Sequence, residues 1–81
     1  MEERTAEQLA QDYSAMGDSV AVITDIIAGN SQADDSAEDR QGCVDRNTQH
    51  LELMVAKEDW GSEDMAATNA AISAGNGYTA S

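Results

Sequence analysis

The stretch that decides the fold runs from Thr5 to Asn30 and reads TAEQLAQDYSAMGDSVAVITDIIAGN. It opens with Thr5-Ala6-Glu7-Gln8, the capping-box pattern in which a threonine and a glutamine three residues later satisfy the first turn of a helix. It closes with Gly29-Asn30, which is a typical helix stop. The sequence therefore predicts one long helix between these two signals.

Large apolar side chains recur along this helix with the a/d alternation of a heptad seam. The heptad seam consists of Leu9, Tyr13, Met16, Val20, Ile23 and Ile27. A continuous apolar stripe must be covered, and we expect a homo-oligomer held together through it. Coverage by later helices of the same chain is the open alternative. Gly17 interrupts the helix interior and indicates a kink or a close helix approach.

The rest of the chain predicts two shorter helices. Residues 30–39 contain no large apolar side chain and form an acidic loop, whose Ser36 caps a medium helix over about residues 37–58. Ser62, followed by Glu63 and Asp64, caps a short helix through about Ala74, and residues 78–81 are expected to fray. The predicted class is all-α: a single small helical domain over residues 1–81, with a long N-terminal helix, an acidic loop, a medium helix and a short C-terminal helix.

Length and composition limit what the core can be. The chain has 81 residues, which allows one small domain and excludes a multidomain enzyme. Alanine supplies 14 of the apolar residues, whereas Leu, Ile, Val and Phe together supply only 11. A domain of this size with so few large apolar side chains is marginally stable, and association with another copy or with a partner is a usual remedy.

The charge indicates which partners the chain can meet. Sixteen acids against four bases give a net charge of -12, which repels nucleic-acid phosphates and anionic lipids and favours basic protein partners. Ten of the acids fall in residues 1–39. The predicted partner-binding residues are Glu7, Asp18 and Asp25, opposite the heptad seam, and Asp34 and Asp35 in the loop. Solubility alone is the other interpretation of these charges.

A search for catalytic or metal-binding patterns finds none that geometry supports. Cys43 and His50 are seven residues apart on one helix, hence about 10 Å apart, which is beyond hydrogen-bond reach. His50 is the only histidine, and the run from Asp34 to Asp39 lacks the calcium-loop spacing of an EF-hand. We expect no enzyme activity, no cofactor and no metal, with structural roles for Cys43 and His50.

Location is predicted from what the sequence contains. No apolar run approaches the roughly 20 residues of a membrane span. The first residues are acidic and lack the basic and apolar regions of a signal peptide. A lone Cys43 fits a reducing compartment. The expected location is the cytoplasm, without contact with a membrane.

Trp60 is predicted to form a helix corner. It lies directly before Gly61-Ser62 and is flanked by Glu58, Asp59, Glu63 and Asp64. Burying the ring would fix the corner between two helices while the acids stay in solvent. An exposed tryptophan that anchors a partner is the alternative.

Residues 44–78 resemble small uncharacterised helical proteins of tailed bacteriophages. The resemblance is a pattern of apolar positions with the Trp60 corner, followed by Asn69-Ala70-Ala71-Ile72. It implies a phage or prophage origin, hence the cytoplasm of a bacterial host cell, and it includes no catalytic signature.

Two function classes follow from these observations. The first is a non-enzymatic acidic phage accessory protein that binds and blocks a host protein with a basic or nucleic-acid-binding surface. The second is a structural or assembly component that oligomerises through its first helix. Glu7 and Asp18 are about 16 Å apart along the helix, against roughly 7 Å between successive phosphates of a strand. A phosphate mimic would therefore need acids from the loop or from a second subunit as well.

Overall fold

The computed structural model describes residues 4–57, 60–61 and 63–81, and the regular structure of these residues is helical. Helix α1 spans Ala6–Ala28, α2 spans Ala37–Val55 and α3 spans Ala66–Asn76. Each helix packs against both of the others around one core. The predicted all-α class with three helices is confirmed. None of the described helices combines the length and the apolar character that a bilayer span requires.

Local side-chain chemistry fixes both ends of α1. Thr5 Oγ1 accepts a hydrogen bond from the Gln8 N–H at 3.1 Å, and Gln8 Oε1 accepts one from the Thr5 N–H at 2.9 Å. At the other end Gly29 takes a left-handed conformation with φ of 80°, and its N–H donates to the Ile26 carbonyl at 3.1 Å. These contacts satisfy backbone groups that a helix end otherwise leaves unpaired.

Helix α3 begins later than the sequence predicts. Its first residue is Ala66, whose N–H donates to Asp64 Oδ1 at 2.9 Å. The predicted cap Ser62 lies outside the described residues, as do Glu58 and Asp59. The helix also continues past Ala74 to Asn76, since Gly75 packs against α2 in helical conformation and does not end the helix.

The heptad seam lies mostly inside the chain's own core. Met16 and Ile23 are fully buried, while Leu9, Tyr13 and Val20 are half-buried against the same cluster. Ile27 is 40% exposed, and the neighbouring Ile26 is buried in its place. Two helices cover α1 from different sides, and the buried stripe is displaced toward residues 19 and 26. Intramolecular coverage, the alternative left open by the sequence, therefore accounts for most of this stripe.

Helices α2 and α3 approach closely through small residues. A Cβ at Gly75 would overlap Thr48 Oγ1 and lie 3.1 Å from Thr48 Cβ. Thr48 is buried, and its hydroxyl donates to the Val44 carbonyl at 2.7 Å, which fixes its rotamer. Ala71 and Thr68 are the other buried residues of α3. The α2–α3 contact thus depends on the absence of a side chain at Gly75.

Replacing Gly75 by alanine should destabilise the protein by about 1–3 kcal/mol, because the added methyl group overpacks a buried contact. Thermal unfolding followed by circular dichroism measures the effect. In the Gly75→Ala, Thr48→Ala double variant the overlapping Thr48 Oγ1 is gone, and the loss of stability should be smaller than the sum of the two single losses. A Gly75→Ala variant as stable as the wild type would show that the two helices do not approach this closely.

Gly17 has the opposite environment. It is exposed in the interior of α1, and a Cβ built there has no atom within 4 Å. The close helix approach predicted at Gly17 is therefore absent. Gly17→Ala should stabilise the protein by roughly 1 kcal/mol, the difference in helix propensity between the two residues. Urea titration checks this value, and a destabilised Gly17→Ala variant would contradict it.

Candidate functional site

The five predicted partner-binding acids are all exposed. Glu7, Asp18 and Asp25 lie on α1, and Asp34 and Asp35 lie in the loop between α1 and α2. The side chains of these five residues form no ion pair with any other described residue. Their charges are therefore directed to solvent.

The structure gathers some of these acids and separates others. Asp25 lies in the last turns of α1, and the loop with Asp34 and Asp35 follows immediately. Glu38 and Asp39, in the first turn of α2, lie at the same end of the molecule. We call this group of five residues the acidic end; it consists of Asp25, Asp34, Asp35, Glu38 and Asp39. Glu7 is about 27 Å from Asp25 along α1 and does not belong to it.

Helix geometry adds to the negative charge of the acidic end. The C-terminus of α1 points there, and its last turn carries no basic residue. A helix C-terminus has a partial negative charge, which the acids leave uncompensated. Glu38 and Asp39 lie instead at the N-terminus of α2, where Ser36 Oγ accepts the Asp39 N–H at 3.1 Å. These two acids complement a helix dipole and also remain exposed.

Two of the four basic residues lie at the opposite end of the molecule. Arg4 Nη1 is 2.7 Å from Asp12 Oδ2, and Lys57 Nζ is 3.8 Å from the same oxygen. The other two, Arg40 and Arg46, lie on α2 beside the acidic end. The exposed acids there outnumber these two arginines, so the local charge stays negative.

An open cleft of about 540 Å³ lies beside the acidic end. Its lining residues are Gln32, Asp35, Glu38, Asp39, Gly42, Cys43 and Arg46. Cys43 is half-buried there, and Gln32 Nε2 donates to its Sγ at 3.5 Å. Within the described residues, no group of three or more His, Cys, Asp or Glu side chains has the arrangement to hold a metal ion.

His50 has a partner that the sequence did not indicate. Its Nδ1 is 2.9 Å from Ser19 Oγ, which joins α2 to α1 across 31 residues of sequence. Asn47, one turn before His50 on α2, donates to the Cys43 carbonyl at 2.8 Å. Ser19 is only 6% exposed, so a substrate cannot reach its hydroxyl in this packing. The Ser19–His50 pair is therefore an interhelical hydrogen bond and lacks the access that a nucleophile requires.

Trp60 lies at the corner between α2 and α3. It is 5% exposed, and its Nε1–H donates to the Met54 carbonyl at 2.9 Å. Its ring is tilted against that of Tyr13, with 6.3 Å between centroids, and the Arg4 guanidinium is 4.4 Å from its centroid. These contacts join the corner to Tyr13 of α1 and to Arg4 just before that helix, so the ring is not presented to a partner.

Comparison with protein-family models, with curated proteins and with solved structures finds no match to this chain.

Proposed function

We propose that this chain is a non-enzymatic accessory protein, encoded by a phage or prophage, that binds and blocks a host protein through a basic or nucleic-acid-binding surface. The observation that carries the proposal is the acidic end. Five exposed acids lie there, and Asp25, Asp34 and Asp35 have no ion pair among the described residues. An uncompensated acidic surface attracts a basic surface before contact and repels nucleic acid.

The acids of the acidic end are better placed to mimic the phosphate charges of a nucleic acid than the acids of α1 alone. Asp18 and Asp25 are about 10 Å apart along the helix, which is wider than the phosphate spacing of a strand. Asp34 and Asp35, with Glu38 and Asp39 three and four residues further on, add closely spaced charges at the same end. A basic surface that binds phosphates could thus be occupied by acids from two helix ends and a loop.

The alternative function, a structural component that oligomerises through α1, has less support. Met16 and Ile23, the centre of the heptad seam, are fully buried within the single chain. A homo-oligomer remains a proposal, and light scattering on the purified protein at about 100 μM measures it.

The proposed function is tested by capture and competition. The wild-type chain, immobilised, should retain a basic nucleic-acid-binding protein from a nuclease-treated bacterial lysate. The purified partner should then lose labelled DNA as the free chain is added, because both compete for one surface. The retained amount should fall steeply between 0.1 M and 1 M salt, where the Debye length shrinks from about 10 Å to about 3 Å.

Two results would contradict this function. A captured partner that keeps its DNA in saturating amounts of the chain would show binding without blocking. Recovery of virion components in place of a basic host protein would favour the assembly function.

A further inference from the structure

Arg40 is a half-buried basic residue beside the acidic end. Its Nη2 donates to the Ser81 carbonyl at 2.8 Å. Two longer hydrogen bonds join its Nε to the Asp35 carbonyl at 3.4 Å and its Nη1 to Tyr78 Oη at 3.5 Å. One guanidinium thus contacts the loop between α1 and α2 on one side and the C-terminal segment on the other.

The neighbouring Gln41 holds the same C-terminal segment independently. Its Nε2 donates to the Tyr78 carbonyl at 3.1 Å, and its Oε1 accepts the Ala80 N–H at 2.8 Å. Residues 78–81, which the sequence predicts to fray, are therefore held on the first turns of α2, and Tyr78 packs against the core. This gives Arg40 a fixed support on the side away from the loop.

The chemistry of arginine suits this position. A guanidinium presents several N–H donors in a planar fork, so it can serve acceptors from two segments at once, whereas an ammonium group is a single point charge. The backbone of the loop is otherwise held near Asp35 by the bond from the Asp35 N–H to the Gln32 carbonyl at 3.1 Å. The Arg40 contact joins the Asp35 carbonyl to the first turn of α2, and the Gln32 side chain joins the same loop to Cys43 further along that helix.

We propose that Arg40 is a positioning residue for the acidic end: it ties the loop that carries Asp34 and Asp35 to the C-terminal segment, and so fixes how these acids meet a cationic partner. This inference rests on the proposed function. It has an unusual consequence, because Arg40 is itself a positive charge in a surface that works by negative charge. Its removal should weaken binding even though the net charge becomes more negative.

Variants at equal net charge separate position from charge. Arg40→Lys keeps the charge and loses the fork, and Arg46→Lys is the matched control, because Arg46 is exposed and makes no hydrogen bond among the described residues. Exchange of the Asp35 amide proton, followed by NMR on the full chain, should be about 2- to 10-fold faster in Arg40→Lys, as expected for the loss of a modest hydrogen bond. Arg46→Lys should match the wild type.

Binding of a labelled deca-arginine peptide then tests the link to recognition. We expect Arg40→Lys to bind the peptide about 2- to 10-fold more weakly than the wild type, because the hydrogen bond that holds the loop is lost. Arg46→Lys should bind the peptide as well as the wild type does. In a second pair, Arg40→Gln should bind more weakly than the wild type, whereas Arg46→Gln should bind more tightly. Circular dichroism should show unchanged helicity in all four.

The outcomes distinguish this inference from the proposed function. If the wild-type chain fails to bind the peptide at low salt, the proposed function loses its support. Separately, unchanged amide exchange in Arg40→Lys would show that Arg40 does not hold the loop in place. If the wild type binds and Arg40→Gln binds as tightly as Arg46→Gln, the acids act through net charge alone and Arg40 does not position them.

Discussion

Replacing Trp60 by alanine should lower the free energy of unfolding by about 3–5 kcal/mol, the usual cost of truncating a buried aromatic side chain. The ring is 5% exposed and packs against the core, Tyr13 and Arg4. A domain of this size has a total stability on the order of 4–12 kcal/mol, so the variant should be partly unfolded at physiological temperature. Urea titration followed by circular dichroism measures the loss.

Trp60→Phe is the matched control, because it keeps an aromatic ring and removes the N–H that donates to the Met54 carbonyl. Trp60→Phe should lower the free energy of unfolding by less than Trp60→Ala does, by about 1 kcal/mol for the lost hydrogen bond, because the Met54 carbonyl still accepts the Lys57 N–H at 3.1 Å. As Trp60 is the only tryptophan, its fluorescence in the wild type should also shift to longer wavelength on unfolding. A Trp60→Ala variant within 1 kcal/mol of the wild type would show that the corner does not hold the helices together.

The elements that could be predicted from sequence are those set by neighbouring residues. Thr5, Gln8 and Gly29 act on backbone groups within a few residues, and they lie at the ends of α1 as expected. Ser36 caps α2 for the same reason. The exposure of Asp34 and Asp35 could also be predicted, because a loop without apolar side chains has nothing to bury.

The contacts that could not be predicted join distant parts of the chain through small or polar residues. Gly75 reads as a helix stop in sequence, yet its packing against Thr48 keeps it inside α3. Ser19 takes part in the buried stripe in place of Val20, where it meets His50. Hydrophobic periodicity contains no information on which polar residue faces a partner helix, so these contacts require the tertiary structure.

The grouping of acids at the acidic end could be predicted only in part. The distribution of charge along the sequence places most acids in the N-terminal half. It groups Glu7, Asp18 and Asp25 together, because these three residues share a helix face. The geometry instead groups Asp25 with the loop and the start of α2, and leaves Glu7 at the far end. The hydrogen bonds of Arg40 to the C-terminal segment had no local signal, because their acceptors lie about forty residues further along the chain.

Reversing the charge of two loop acids should nearly abolish partner binding. In the Asp34→Lys, Asp35→Lys variant two positive charges would face a basic surface, and such like-charge contacts cost several kcal/mol. We expect affinity for the captured partner to fall by at least about 30-fold. The circular dichroism spectrum should stay unchanged, because both side chains are exposed and lie outside the helices.

The matched control is the Glu52→Lys, Glu63→Lys variant. Both residues are exposed, and Glu52 is about 20 Å along α2 from its acidic N-terminal turn. The net charge changes by the same amount as in the loop variant. If attraction depended on net charge alone, the two variants would lose affinity equally.

The most direct test of recognition by the acidic end is therefore the affinity of these two equally charged variants for the captured partner, measured by titration at 0.1 M salt. Recognition by the acidic end predicts that the Asp34→Lys, Asp35→Lys variant loses at least about 30-fold while the Glu52→Lys, Glu63→Lys variant stays within about threefold of the wild type. Equal losses, or a larger loss in the Glu52→Lys, Glu63→Lys variant, would contradict recognition at the acidic end.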